Sequence, residues 1–512
     1  MSGKLERARV AAGARPRLPA GALSPLAAAA ERPDDLALVC GDQTLTFSQL
    51  APEVAGAMVE LSDRGAAPDA PVAVFADRRL NTAVALYALL ELGAPVALLH
   101  PRSTPAEREA LVSALLPELP PSRFLGPSWV RPAPRSPPPP APVALDGRPQ
   151  VIAFTSGSTG SPRGVELSRR AIAASAAASA AHLGWRPGDR WHAFLPIAHV
   201  GGLAILVRCL AARAPVVLEP EGRFDASEVL TSMSERGVTL ASAVPAMLCD
   251  LVEAGSPPAP LRALLLGGAA APVSLLDRAA RGGWPVLTTY GMTETGSQIA
   301  TYPAAQPLDP GRGIGAPLPG VELAIRGGRI FVKGEMLLSA YRSAGARDPA
   351  VGEDGYFDTG DLGELTDAGF LRVFGRADDA IITGGENVDP AEVEAALTAA
   401  PGVAAAVVAG IPDARLGAIV AAAVVPRAGE HRGRLAAVLD VRCRELLAPF
   451  KRPRCIEVWS ELPTTPTGKP DRRAIRETLA ARAAASGTAE KSPSADGEGR
   501  PGSPPRNPPP VR

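Results

Sequence analysis

The sequence predicts an α/β fold. Short apolar runs alternate with stretches of helical period, one such stretch sits between two strands as a crossover, and 512 residues suffice for two to four structural units around a large core. Phe47, Leu50, Val54, Met58 and Leu61 recur at spacings of three and four, as one face of a helix does. The run Val72 to Ala76 reads as a buried strand. Leu80, Ala83, Val84, Tyr87 and Leu90 then mark a helix closed by Gly93, and Pro95 to Leu99 a second strand. A strand–helix–strand unit of this kind implies parallel pairing. The alternation resumes with Ala171 to Leu183 as helix, Arg190 to Leu195 and Ala214 to Leu218 as strands, and Ala226 to Arg236 as helix. Thr239 to Val244 (strand), Ala246 to Glu253 (helix) and Leu261 to Leu266 (strand) continue it.

Fifty-three basic residues balance fifty-three acidic ones, so nothing draws the chain to nucleic acid or anionic lipid. The most apolar segments are broken by charge or proline, as Leu203 to Leu218 is by Arg208 and Pro215, which argues against a membrane span. Residues 1–20 carry Arg and Lys without a following apolar stretch of signal-peptide type, so a flexible N-terminus and a cytoplasmic location are expected. Five scattered cysteines form no C-x-x-C pair and read as reduced, buried small hydrophobes. Residues 117–149 are proline-rich and read as an extended surface connection. From residue 483 to 512 large apolar side chains disappear, and a disordered tail is expected.

The chemistry begins where the strand Ile152 to Phe154 runs into Thr155-Ser156-Gly157-Ser158-Thr159-Gly160-Ser161-Pro162-Arg163-Gly164-Val165. Three glycines free the backbone to wrap an anion, five hydroxyls supply donors, and Arg163 adds fixed positive charge. A polyphosphate suits this string better than the alternative of a polar surface turn. It lacks the Gly-Lys-Ser/Thr of the Walker loop.

This string resembles the phosphate loop of the acyl-adenylate-forming superfamily, and further matches follow in the family's order. Tyr290-Gly291-Met292-Thr293-Glu294-Thr295 is similar to its adenine and magnesium motif, and Tyr356-Phe357-Asp358-Thr359-Gly360-Asp361 to its ribose-binding segment. Gly375-Arg376-Ala377-Asp378-Asp379 resembles the hinge into a small C-terminal domain, and Pro466-Thr467-Gly468-Lys469 the loop of the catalytic lysine. The resemblance spans roughly Leu45 to Leu479. It implies a large N-terminal domain of mixed or parallel sheets flanked by helices over residues 21–375, and a small mobile α+β lid over 376–482, turning about Asp378.

It also implies a set of roles. Nucleotide contacts fall at Thr155, Ser156, Gly157, Ser158, Thr159, Gly160, Arg163, Gly267, Tyr290, Gly291, Thr293, Asp361 and Arg376. Catalysis falls to Lys469, Glu294, Arg376 and His199, with Glu294 facing Mg²⁺, and Gly384 and Gly385 line a tunnel for coenzyme A. A carboxylate attacking the α-phosphate of ATP is one anion approaching another, which is why such a site needs a lysine, a divalent cation and in-line positioning. The phosphate loop departs from the family's usual Pro-Lys-Gly: here it reads Pro162-Arg163-Gly164, which keeps the charge but replaces a point charge by a planar fork.

Within the superfamily, Thr293 to Ile299 with Ser297-Gln298, the glycine turn Leu264 to Pro272, and Gly384 to Glu394 look most like the group of ligases that activate o-succinylbenzoate for menaquinone biosynthesis. Pro196-Ile197-Ala198-His199 is similar to the family's Pro-x-x-His segment, with Ala198 in place of the usual Phe. Arg208 lies in an otherwise apolar run and reads either as a helix-surface residue or as a buried clamp on the acid's distal carboxylate. His199, Arg208, Ser297 and Gln298 are therefore the substrate candidates. ATP, Mg²⁺, CoA and a small carboxylic acid are the expected ligands, and a homodimer is left open. Aryl- or fatty-acyl-CoA ligases, a stand-alone enzyme loading a carrier protein in trans, and a nucleotide-binding protein without chemistry are the competing readings.

Overall fold

The structure, a computed structural model, describes residues 9–11, 13–140, 144–155, 163–219, 221–343, 346–377, 381–383, 386–413, 416–430, 432–465 and 469–485. The chain divides into two compact units, Met1–Asp378 and Asp379–Arg512.

The first unit contains three sheets. In a nine-stranded sheet, Val286–Met292, Ala263–Leu266, Leu240–Ala243, Trp191–Ala193, Val216–Leu218 and Leu36–Cys40 run parallel in that order, and antiparallel strands close both edges. In a seven-stranded sheet, Val72–Phe75, Val96–Leu99 and Pro149–Thr155 are parallel neighbours, as the strand–helix–strand reading requires, and Arg163–Ser168 then turns back antiparallel. The five-stranded third sheet is wholly antiparallel, with Glu322–Arg326, Arg329–Lys333 and Phe357–Leu365 at its centre and Leu371–Arg376 at one edge. The crossover helix Leu80–Leu92 is buried nearly all round, which explains its predominantly apolar sequence, and Gly93 ends it at φ 66°.

Two expectations need adjustment, and a third gains detail. Within the N-terminus expected to be flexible, Arg9–Ala11 pairs antiparallel with Glu322–Arg326, because that edge offers unpaired backbone groups. The helix Arg472–Ala485 runs past residue 483 because Ala483 still packs in the core of the second unit. The proline-rich connection is extended but not loose. Phe124–Leu125 adds a parallel strand beside Val72–Phe75, and the next stretch is strapped to the helix Phe47–Asp63. There Trp129 Nε1 donates to Glu60 at 3.1 Å, Arg131 pairs with Glu53 at 3.3 Å, and Arg135 N donates to the carbonyl of Pro52 at 3.0 Å.

In the second unit, Gly417–Pro426 pairs antiparallel with Val403–Asp413 and parallel with Cys455–Val458. Alternate residues of the long hairpin feed two cores. Val408 and Val420 face Leu397 and Leu439, while Val407 and Ile419 face Ile475 and Leu479. No described helix in the chain is long and apolar enough to cross a membrane.

The strap depends on Gly56, since a Cβ there would stand 2.4 Å from the Ala133 carbonyl oxygen. Gly56→Ala should therefore destabilise the protein by about 1–3 kcal/mol, as overpacking does, and speed limited proteolysis between residues 127 and 140. Unchanged melting and unchanged proteolysis would show that the strap contributes nothing.

Candidate active site

The two limbs of the phosphate loop are a hairpin: Thr155, at the end of Pro149–Thr155, lies opposite Arg163, the first residue of Arg163–Ser168. The candidates Ser156, Gly157, Ser158, Thr159 and Gly160 lie outside the described residues, as do Asp378, Gly384 and Gly385. Gly267 ends the strand Ala263–Leu266 where a Cβ would meet Thr289 Oγ1 at 2.4 Å, so only glycine lets the neighbouring strand come so close. Gly291 is tighter still, at 1.9 Å from a hypothetical Cβ to the Ser297 carbonyl oxygen, where the register shifts between Tyr290 and Gly291. This bulge turns the chain into a short 3₁₀ turn, Thr293–Thr295, that carries Glu294.

Two carboxylates are held by tyrosines. Asp361 is buried on Phe357–Leu365, accepts from the Tyr290 hydroxyl at 2.6 Å, and meets Arg376 Nη1 at 3.1 Å. Arg376 also donates to the Thr359 carbonyl at 3.0 Å and lies beside Gly360, which turns at φ 74°. Burial, then the Asp361 carboxylate, push the Tyr290 hydroxyl well above its ordinary pKa, so it stays protonated and remains a donor. Glu294 is half-buried and accepts from the Tyr341 hydroxyl at 3.0 Å. The Arg163 guanidinium lies over the Tyr341 ring, 5.5 Å from its centroid. These residues come together from the loop hairpin, the adenine motif and the antiparallel sheet. They offer two cations, two oriented carboxylates and a row of backbone groups, a set able to hold a nucleotide and its charge.

A second cluster is apolar. His199 immediately precedes the helix Val200–Ala212 at its N-cap position, and its ring packs on His100 at 5.0 Å between centroids. Burial, with Arg102 and Arg78 nearby, lowers the His100 pKa to about 4, so that ring is neutral at pH 7. Further along the helix Arg208 is 3% exposed, which settles the choice between surface and interior. It lines a narrow cavity with Ile172, Ala176, Leu203, Val207 and Gly296, between Val200–Ala212 and the helix Arg169–Leu183. Arg208 lies 5.7 Å from the Trp191 ring, yet its Nε and Nη2 have no acceptor among the described residues. Burial pulls its pKa down to about 10, which leaves it charged at pH 7. Gln298 is also buried, with Nε2 on Thr301 and Oε1 without a donor among the described residues. Ser297 holds φ at 110°, an uncommon backbone state for a residue other than glycine. Lys469 belongs to the second unit. Its carbonyl accepts from Thr465 N at 2.8 Å just before the helix Arg472–Ala485.

Sequence reading missed Tyr341 and its neighbours Arg342 and Arg347, which fall outside the motif strings. The one available signal was a tyrosine between an apolar run and arginines.

The site and fold define a class. The AMP-binding enzyme family model matches residues 26–119 and 118–342, and that of the AMP-binding enzyme C-terminal domain matches 392–469, so the chain belongs to the AMP-binding enzyme family. More particularly, it is 35% identical over 465 residues to 2-succinylbenzoate–CoA ligase of Bacillus licheniformis, covering 85% of this chain and 95% of the relative. It is 39% identical over 350 residues to that of Bacillus velezensis, covering 66% and 70%. Among solved structures, o-succinylbenzoate CoA synthetase from Bacillus subtilis with its acyl-adenylate intermediate superposes with a TM-score of 0.77 at 30% identity, covering 90% of this chain and 98% of that one. The same enzyme with ATP and magnesium ion gives 0.75 at 30% identity, covering 90% and 99%.

A buried cation without a counter-ion is destabilising in the free protein. Arg208→Met should raise the melting temperature of ligand-free protein, by about 1–4 kcal/mol of stability. A lowered melting temperature would mean that Arg208 has its charge satisfied in the free state.

Proposed function

We propose that this protein is an ATP-dependent, AMP-forming carboxylate–CoA ligase that activates o-succinylbenzoate. The single observation that carries the choice of acid is Arg208, a charged guanidinium buried in a mostly apolar cavity, with two nitrogens that have no acceptor among the described residues. A monocarboxylic acid would leave it so, because its one carboxylate must reach the phosphate. An acid with a second carboxylate supplies the missing anion. The relatives named above, called 2-succinylbenzoate–CoA ligases, support the same choice.

In the first half-reaction a carboxylate oxygen attacks the α-phosphorus of ATP, an O–P bond forms, and pyrophosphate leaves. In the second, the CoA sulfur attacks the acyl carbon, its proton is lost, and AMP leaves. Asp361, oriented by Tyr290 and Arg376, accepts the ribose hydroxyls, and Arg163 with the loop hairpin faces the phosphates. Glu294 fits a magnesium site of the kind that takes one carboxylate and completes itself with phosphate and water, and no cluster of three or more acidic, His or Cys ligands occurs among the described residues. Magnesium, when bound, supplies neutralisation of phosphate charge. By the family resemblance, Lys469 would supply the remaining charge in the adenylating step, Gly384 and Gly385 would serve CoA in the second, and Asp378 would be the pivot between the two steps. ATP and CoA as substrates suit a cytoplasmic enzyme.

A pyrophosphate-release screen over carboxylic acids, with and without CoA, tests the reading. Turnover should be strongest with o-succinylbenzoate and yield its CoA thioester, and preference for a fatty acid or a simple benzoate would refute it. Lys469→Ala should lose adenylation by about 10²-fold or more while retaining thioester formation from supplied acyl-adenylate. Equal loss in both half-reactions would contradict a role confined to the phosphate.

A further inference from the structure

We propose that Tyr341 is a positioning residue that joins the phosphate-loop cation Arg163 to the carboxylate Glu294, and that a clamp of the buried Glu166 with the half-buried Arg342 and the exposed Arg347 holds it there. The inference rests on the assignment of Glu294 to the metal and Arg163 to the phosphates.

Tyr341 sits on the strand Ala340–Ser343, which pairs antiparallel with the second limb of the phosphate-loop hairpin, Tyr341 opposite Val165 and Arg342 opposite Gly164. Its ring and its hydroxyl do different things. The ring lies beneath the Arg163 guanidinium, a planar cation that an aromatic face supports better than it supports a lysine point charge. The hydroxyl donates to Glu294 Oε1, which restrains the carboxylate and leaves its second oxygen outside this bond. Groups that hydrogen-bond a metal-side carboxylate set its orientation and tune its affinity. A neutral phenol can couple a cation and an anion in this way without competing for either charge.

The clamp explains why the strand is placed so firmly. The Glu166 side chain is fully buried; Oε1 accepts from Arg342 Nε at 2.9 Å and Oε2 from Arg347 Nε at 2.8 Å. Its carbonyl accepts from Ser339 N at 2.8 Å and Ser339 Oγ at 3.1 Å. Glu166 thus ties both strands of the hairpin Ala340–Ser343 and Ala346–Asp348 to the loop limb that begins with Arg163. A carboxylate buried with two arginines on separate oxygens is a costly arrangement for stability alone, and a reasonable one for fixing register.

The test uses the full-length protein and Mn²⁺ in place of Mg²⁺, with electron paramagnetic resonance reporting metal binding in the presence of a non-hydrolysable ATP analogue. Tyr341→Phe should keep the melting temperature and the metal-free affinity for the analogue within about twofold, while weakening Mn²⁺ binding about five- to tenfold, as expected when a charged acceptor loses its donor. Tyr341→Leu, which removes the ring as well, should in addition weaken metal-free analogue binding about threefold or more through Arg163. Wild-type Mn²⁺ affinity in the folded Tyr341→Phe variant would overturn the proposal. So would a loss of metal-free analogue binding in Tyr341→Phe equal to that in Tyr341→Leu, because it would mean that the hydroxyl and ring have no separate roles. The substrate reading fails separately, if the wild type binds Mn²⁺ with the analogue but releases no pyrophosphate with o-succinylbenzoate.

Discussion

The carboxylate of Asp361, shared between the Tyr290 hydroxyl and the Arg376 guanidinium, is the contact on which the nucleotide half of the site depends. Tyr290 belongs to the last parallel strand of the nine-stranded sheet, and Asp361 and Arg376 belong to the antiparallel sheet. This buried charge-assisted hydrogen bond joins two layers that also meet through the backbone bridge between Gly315 and Leu371. The close approaches at Gly267 and Gly291 follow from the same constraint, because the strand carrying Tyr290 must press on its neighbours without side chains in between. Glu294, reached through the bulge after Tyr290, inherits its position from that strand.

The acyl side obeys an opposite logic. There the fold leaves charge unsatisfied: Arg208 is buried among aliphatic side chains with nitrogens facing no acceptor in the described residues. Desolvating a guanidinium in this way opposes folding, and a ligand that brings the counter-ion gains what the free protein lacks. On the proposed reading, specificity for a dicarboxylic acid has a physical origin, since an acid without the second carboxylate would leave the same cation unpaired in the complex. The Trp191 ring offsets part of the desolvation without neutralising the charge.

The parallel cores were legible from sequence because Val72–Phe75, the helix Leu80–Leu92 and Val96–Leu99 are apolar runs with unambiguous periods and a glycine stop. The antiparallel sheet was legible only as motifs. Phe357–Leu365 reads as Asp, Thr, Gly and Glu, whose alternation is set by ligand and turn requirements more than by burial. The residues Tyr290, Glu294, Asp361 and Arg376 were singled out by their strings, and the structure adds how Tyr290, Asp361 and Arg376 meet. Tyr341 and the Glu166 clamp were illegible because their partners lie more than a hundred residues apart in sequence, apart from the short Tyr341–Glu294 separation, and no local pattern records such pairs. The sequence left Arg208 between surface and interior, because a single Arg in an Ala-rich helix fits either face until neighbouring helices are in place.

The central claim is that Arg208 reads a second carboxylate, and the most direct measurement is a ratio. The kcat/KM for o-succinylbenzoate is divided by that for the same keto acid with hydrogen in place of the carboxylate that is not activated, in the wild type and in Arg208→Met. Removing one partner of a buried charge pair costs about 2–5 kcal/mol, so the wild-type ratio should exceed about thirtyfold and should collapse toward one in the variant. A wild-type ratio near one, or a large ratio that survives the substitution, would contradict the account.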